Sequence, residues 1–226
     1  MIFEEYSQIV NSFVHKSGLS LTDSFDEVCK AQDALIAQIV DKGAIIAGWK
    51  IVNKDGVVVL SPIFDFQVFS CAGETISYQS IQGTELEVCF QVAVPDSVDA
   101  VEDVVANSDP LAAVELIRGE IHPSNHLACD FYFNYGVFVS SNTISGSLRF
   151  EGGGNDYAFS ADIDELVTEK KDIVRQGILQ CIHRGYGHKD YFFITGTLNG
   201  LVPAAESLGK NRVINQGEKL ICFDVM

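Results

Sequence analysis

Apolar and polar residues alternate most clearly over residues 83–94. Leu86, Val88, Phe90, Val92 and Val94 fall on one face at period two, and Glu85, Glu87, Cys89 and Gln91 fall on the other. The pattern predicts a strand whose apolar face meets a core and whose opposite face carries two carboxylates, about 6.5 Å apart along the chain. Nearer the N-terminus the period is helical. Ile2, Phe3, Tyr6, Ile9, Val10, Phe13 and Val14 predict a short amphipathic helix over 1–16. Val28, Ala31, Leu35, Ile36 and Ile39 predict a second from 24 to about 41, with capping residues and acids before it and Lys42-Gly43 as its stop. From residue 44 strand patterns dominate, at 44–51, 57–60, 64–69, 85–94, 111–117, 129–139, 145–150, 191–195 and 219–223. Helical patterns interrupt them at 98–106 and 162–183. Gly152-Gly153-Gly154-Asn155-Asp156 reads as a hairpin turn and lacks the strand-to-helix setting of a phosphate-binding loop.

Helices segregated from a run of strands indicate an α+β fold, with an N-terminal helical region over 1–43 and one β-rich unit over 44–226. A hydrophobic content of 47% with 20% charged residues is that of a globular core rather than a disordered chain. The net charge of −16 argues against nucleic-acid or anionic-membrane partners. It also means that a small anionic ligand would need a local cation to receive it. No apolar run is long enough for a membrane span, and the N-terminus carries acids where a signal peptide carries bases. The six cysteines lack C-x-x-C spacing and sit among apolar residues, as small buried side chains do in a reducing compartment, so a cytoplasmic location is expected.

Candidate chemistry centres on acids. Glu115 lies inside the apolar run 111–117, where an unpartnered carboxylate is costly. Together with Glu85 and Glu87 it offers three oxygen donors suited to Mg²⁺ or Mn²⁺. The same residues are compatible with two solvent-facing glutamates on an edge strand and one paired acid. Lys50 follows the apolar stretch 44–47 and is either a solvated strand-end charge or a site residue. His122 and His126 flank Pro123 and read as loop histidines, while His183 and His188 flank a glycine-containing turn. There is no G-x-S-x-G nucleophile elbow, and no cysteine has a base partner by spacing.

The order of these motifs resembles the fumarylacetoacetate hydrolase superfamily, in its branch of 2-keto-4-pentenoate hydratases and 4-oxalocrotonate decarboxylases. The matching pieces are Ala31-Gln32-Asp33-Ala34-Leu35, Ala47-Gly48-Trp49-Lys50-Ile51 (similar to G-Y-K-I-G), Ser61-Pro62-Ile63-Phe64-Asp65 and Glu85-Leu86-Glu87-Val88-Cys89-Phe90 (similar to E-x-E-x-x-F). Ala113-Val114-Glu115, Phe193-Ile194-Thr195-Gly196-Thr197 and Asn215-Gln216-Gly217-Glu218 follow in the same order. The resemblance implies a mixed β-sandwich or roll with Mg²⁺ or Mn²⁺ held by Glu85, Glu87 and Glu115. It implies that Lys50 orients a substrate carboxylate or assists proton transfer, with Thr195, Gly196, Thr197 and Asn134 as substrate-binding positions. The implied activity is a lyase, hydratase or decarboxylase, acting on a small 2-oxo or 2-hydroxy-dienoic acid through a metal-held enolate. A homo-oligomer is also implied.

Three departures keep other activities open. The segment from Ile51 to Leu60 is short and lacks the family's acidic-aromatic-glycine element; Arg118 precedes Glu120 where relatives place the acid first; and Asp130-Phe131-Tyr132-Phe133-Asn134-Tyr135 replaces a small polar D-N-A-S-S run. Such bulk would reshape a substrate pocket. The alternatives are a C–C hydrolase or oxaloacetate-type decarboxylase on the same fold, and a non-catalytic binding or assembly protein.

Overall fold

Two helices precede the sheets, and their ends follow local rules. In the computed structural model, which describes residues 3–16, 24–54, 57–119, 131, 134–153 and 157–226, they are α1 (Phe3–Lys16) and α2 (Phe25–Val40). Ser24 and Glu27 form a reciprocal capping box at the start of α2, where two acids also meet the positive end of the helix dipole. Tyr6 and Val10 of α1 and Leu35, Ile36 and Ile39 of α2 are buried in the same core as the strands that follow.

The strands are β1 (Ile46–Lys54), β2 (Val57–Phe64), β3 (Val68–Phe69), β4 (Ala72–Ile76), β5 (Ile81–Val94), β6 (Pro110–Arg118), β7 (Asn134–Thr143), β8 (Ser147–Gly152), β9 (Tyr157–Asp162), β10 (Lys189–Thr197), β11 (Val202–Pro203), β12 (Gly209–Asn215) and β13 (Glu218–Val225). Helix α3 (Val101–Ala106) joins β5 to β6, and α4 (Ile163–His183) joins β9 to β10. A large sheet runs β2-β1-β10-β5-β6-β7-β3, with β11 added beside β5; a smaller one runs β4-β13-β12-β8-β9. In the large sheet β1 is parallel to β10 and β3 to β7, and the remaining pairs are antiparallel.

The large sheet closes on itself. Ile63 of β2 and Val137 of β7, from opposite ends of the strand order, pack in one small cluster with Cys89, Leu111, Ala113 and Ile194. That cluster marks the inner face of the roll. The outer face carries Trp49, Leu86, Val88, Phe90, Val114, Phe138 and Phe193, all fully buried. Helix α4 covers part of it so closely that a Cβ on Gly177 would come within 2.7 Å of Ile51 Cδ1. The smaller sheet covers another part, with Phe223 stacked on Phe138 at 4.6 Å between centroids. This is the mixed roll with a small helical region that the motif order implies.

The expected strand at 64–69 is broken. A 3₁₀ turn over Asp65–Gln67 intervenes, held by the Gln67 side chain, which accepts from the Phe64 N–H and donates to the Asn134 carbonyl. Strands β4, β9, β11 and β12 are additions to the sequence reading. The hairpin at 152–156 is flanked by β8 and β9, paired from Gly152 with Tyr157, although residues 154–156 lie outside the described residues. His122, His126, Glu120, Asp130, Phe133 and Tyr132 also lie outside them. No described helix is long and apolar enough to cross a membrane, and the described cysteines are free.

Candidate metal centre

Strand register gathers the three glutamates. β5 and β6 pair with Glu85 opposite Glu115 and Glu87 opposite Ala113, and directly opposed residues share a face. One carboxylate oxygen from each of Glu85, Glu87 and Glu115 lies within 4.8 Å of the others. Lys50 reaches them from β1, two strands away. The register Lys50 to Ile194 to Cys89 puts it on the inner face, where its Nζ donates to Glu115 Oε1 at 2.8 Å.

A fourth contact comes from the backbone. The pairing of β10 with β5 is interrupted between Ile194 and Thr197. Gly196 sits in this bulge at φ +89°, a conformation open to glycine without Cβ strain, and its N–H donates to Glu87 Oε2 at 2.9 Å. Glu87 and Glu115 are fully buried and Glu85 half-buried. Among the described residues, Glu87 Oε1 and Glu115 Oε2 meet no N–H donor, and the two carboxyls bond to each other only when one of them is protonated.

Electrostatics follow from this crowding. Burial pushes the Glu87 carboxyl well above the usual range, and the Glu115 charge pushes it further while Lys50 pulls back. Glu85 is raised by burial first and Glu115 second. Burial alone would lower Lys50, but the charges of Glu115, Glu87 and Glu85 outweigh it and the ammonium is held more firmly. Burial also raises the nearby Cys89 thiol, which keeps it protonated and unreactive.

The donor set fits a hard divalent cation. Three carboxylates converge, and Glu87 and Glu115 lie close enough to share a proton; with both ionised, their buried oxygens repel each other at a cost that a bound cation would offset. Glu85, Glu87 and Glu115 would hold the ion.

The other expected positions are arranged differently. The Thr195 hydroxyl donates to the Val88 carbonyl at 2.9 Å, and the exposed Thr197 hydroxyl bonds Asn199 Oδ1 at 3.2 Å. The turn therefore reaches the acids through the Gly196 N–H. Asn134 is buried, with neither amide atom partnered among the described residues, and it lines a cavity of about 250 Å³ with Arg118, Tyr6, Tyr135 and Ser80. Of the bulky run, Phe131 packs against Tyr6 and Phe64, and Tyr135 stacks on Phe69, all part of the outer core. His183 and His188 are outside the acidic cluster, and His188 pairs instead with Asp96. Sequence reasoning missed Ser61, which lies opposite Lys50 with its buried Oγ unpartnered among the described residues. It also missed Lys170, a buried lysine on α4. The only signal for Ser61 was its place in the Ser61-Pro62 motif, and for Lys170 its place on the apolar stripe of a helix.

No family model matches this sequence, and no curated protein matches it. Solved structures do match in shape. The 4-oxalocrotonate decarboxylase of Pseudomonas putida G7, complexed with magnesium and adipate, superimposes with a TM-score of 0.70 at 13% identity, covering 100% of this chain and 99% of that one. The same decarboxylase complexed with calcium and acetate gives 0.69 at 12% identity, covering 100% and 99%. Maleylpyruvate hydrolase from Sphingobium sp. SYK-6 gives 0.51 at 14% identity, covering 81% and 70%. A Yersinia pestis CO92 protein placed in the fumarylacetoacetate hydrolase family gives 0.52 at 11% identity, covering 81% and 94%. The chain has the fold of 4-oxalocrotonate decarboxylase and of fumarylacetoacetate hydrolase-type proteins.

Proposed function

We propose that this protein is a divalent-metal-dependent lyase, a hydratase or decarboxylase, acting on a small 2-oxo or 2-hydroxy-dienoic acid. The observation that carries the reading is the convergence of Glu85, Glu87 and Glu115 beside a buried lysine, with two carboxylate oxygens that meet no N–H donor among the described residues. Support comes from a similar fold that is complexed with Mg²⁺ and a dicarboxylate in one structure and Ca²⁺ and a carboxylate in another.

Glu85, Glu87 and Glu115 would hold Mg²⁺ or Mn²⁺. When bound, the cation supplies a Lewis acid for negative charge that develops on a substrate oxygen. The chain's own residues do the rest. Gly196 fixes Glu87 through its N–H, and Lys50, whose Nζ donates to Glu115, is the residue we assign to orienting a substrate carboxylate or assisting proton transfer. Ile63, Val137 and Ile194 keep this face of the roll dry, which strengthens every charge interaction on it. Asn134 and Thr197 are the polar contacts we assign to the distal end of the substrate.

The test is thermal melting with and without Mg²⁺ or Mn²⁺, since a ligand that binds only the folded state raises the midpoint. Saturable stabilisation that disappears in Glu85→Ala and Glu115→Ala is expected. Ultraviolet assays with 2-hydroxypentadienoate and oxaloacetate then read hydration and decarboxylation. An ion bound without turnover of any 2-oxo acid would shift the assignment to a non-catalytic binding protein.

A further inference from the structure

We propose that Lys170 is a positioning residue for Glu87, acting through the peptide group that joins Thr195 to Gly196; this rests on reading the three acids as a metal centre. The buried stripe of α4 consists of Ile163, Lys170, Val174, Gly177, Ile178 and Cys181. One ammonium among apolar and small residues breaks the pattern, and a lysine that far inside needs a partner. Its neighbour Lys171 does what a helix-surface lysine normally does, reaching along the exterior to the Ala106 carbonyl. Lys170 instead turns inward. Its Nζ donates to the Thr195 carbonyl at 3.4 Å, and this is its one hydrogen bond among the described residues.

That carbonyl and the Gly196 N–H are the two ends of a single peptide group. Lys170 holds the oxygen end from the helix side of β10, and Glu87 receives the hydrogen end on the inner side. A peptide dipole with a cation at its oxygen and an anion at its hydrogen is stabilised at both ends, and each bond polarises the other. The arrangement is pinned on both sides of the peptide. The Thr195 hydroxyl is bonded to the Val88 carbonyl, and Gly196 occupies the φ +89° bulge. Lys170 thus sets the orientation of the one backbone donor that aims the Glu87 carboxylate, with β10 between the two side chains. Outer partners of this kind commonly change metal affinity about 10- to 100-fold.

The full chain tests this with Lys170→Met, which keeps length and packing without charge, and Lys170→Arg, which keeps the charge. Two quantities are read: Mn²⁺ affinity by titration, and the Gly196 amide proton by nuclear magnetic resonance in metal-free protein. In Lys170→Met we expect Mn²⁺ to bind about 10-fold more weakly. The Gly196 amide should move upfield and exchange faster, and Lys170→Arg should recover most of both changes. A merely structural lysine would lower the melting midpoint without moving the Gly196 resonance. Unchanged Gly196 amide behaviour in Lys170→Met overturns the proposal, even if Mn²⁺ binding changes. If wild-type protein binds no Mn²⁺, the metal reading fails on its own, while the Gly196 resonance still decides whether Lys170 holds the peptide. Lys170→Gln serves the same comparison should the methionine variant fail to fold.

Discussion

The two faces of β5 are made from alternating residues of one strand, yet they are built on opposite rules. Leu86, Val88 and Phe90 enter an apolar core shared with Trp49, Val114, Phe138 and Phe193. Glu85 and Glu87, one position out of step, join Glu115 and Lys50 on the inside of the roll. Burial is nearly as complete on the inner face as on the outer one, with Glu87 and Glu115 as inaccessible as Leu86. The difference lies in charge. Polar atoms without a partner among the described residues on the outer face, such as Trp49 Nε1 and the Tyr191 hydroxyl, belong to neutral groups, whereas the two on the inner face are carboxylate oxygens crowded beside a third acid. One face stabilises the fold, and the other holds three carboxylates together at a cost, as the proposed cation site requires.

Substitutions break this contrast in order of size. Lys50→Met removes the cation from a buried pair and leaves Glu115 uncompensated, so a loss of about 3–5 kcal/mol is expected in urea unfolding of metal-free protein. Added Mg²⁺ should recover part of it. An equal loss with and without Mg²⁺ would separate Lys50 from the cluster. On the outer face, Phe193→Ala should cost about 3–5 kcal/mol through its cavity, to the same extent with or without Mg²⁺. A strong metal dependence there would show that the two faces are not energetically separate.

Glu85→Ala should be milder for the fold, because this acid is only half-buried. Its signature is loss of the stabilisation of about 2.7 kcal/mol expected at a hundredfold excess of cation over its Kd. Retained calorimetric binding in this variant would remove Glu85 from the ligand set. Next comes pH. The folded-state pKa of Glu87 lies above its unfolded value, so its contribution to metal-free stability is fully present below the unfolded value of about 4.3. That contribution is lost as pH rises through the raised folded value. Divalent-cation affinity moves the other way over the same window, because the ligand must be ionised. Stability and affinity that rise together in parallel titrations would contradict this assignment. Least of all, Arg175→Ala removes partly exposed bridges to Glu102 and Asp172 and should change stability by under about 1 kcal/mol in the same unfolding assay.

The acids were legible in the sequence because their position is a matter of parity. Period two puts Glu85 and Glu87 opposite Leu86 and Val88, and Glu115 stands out within an apolar run. Lys50 needed the motif order, since a strand-end lysine is ordinarily solvated. What stayed hidden depends on contacts between distant segments. The Gly196 N–H reaches Glu87 only because β10 bulges between Ile194 and Thr197, and no local pattern announces a bulge. Lys170 falls on the apolar stripe of α4, but only the docked helix shows that its ammonium turns inward to the Thr195 carbonyl. The break at 65–67 depends on Gln67 finding the Asn134 carbonyl. Strand β9 alternates Tyr157, Phe159 and Ala161, but its six residues lie between a glycine turn and a helix start and are too short to declare themselves.

Strand order has a consequence for how such a protein is born. β10 lies between β1 and β5 in the large sheet although it follows them both in the chain by more than a hundred residues or nearly so. A ribosome has therefore delivered the lysine and all three glutamates well before it makes the strand that spaces them. Nascent chains stopped short of residue 189 should neither bring Lys50 to Glu115 nor capture an ion, and a circular permutant opening on β10 should acquire both abilities earlier in synthesis.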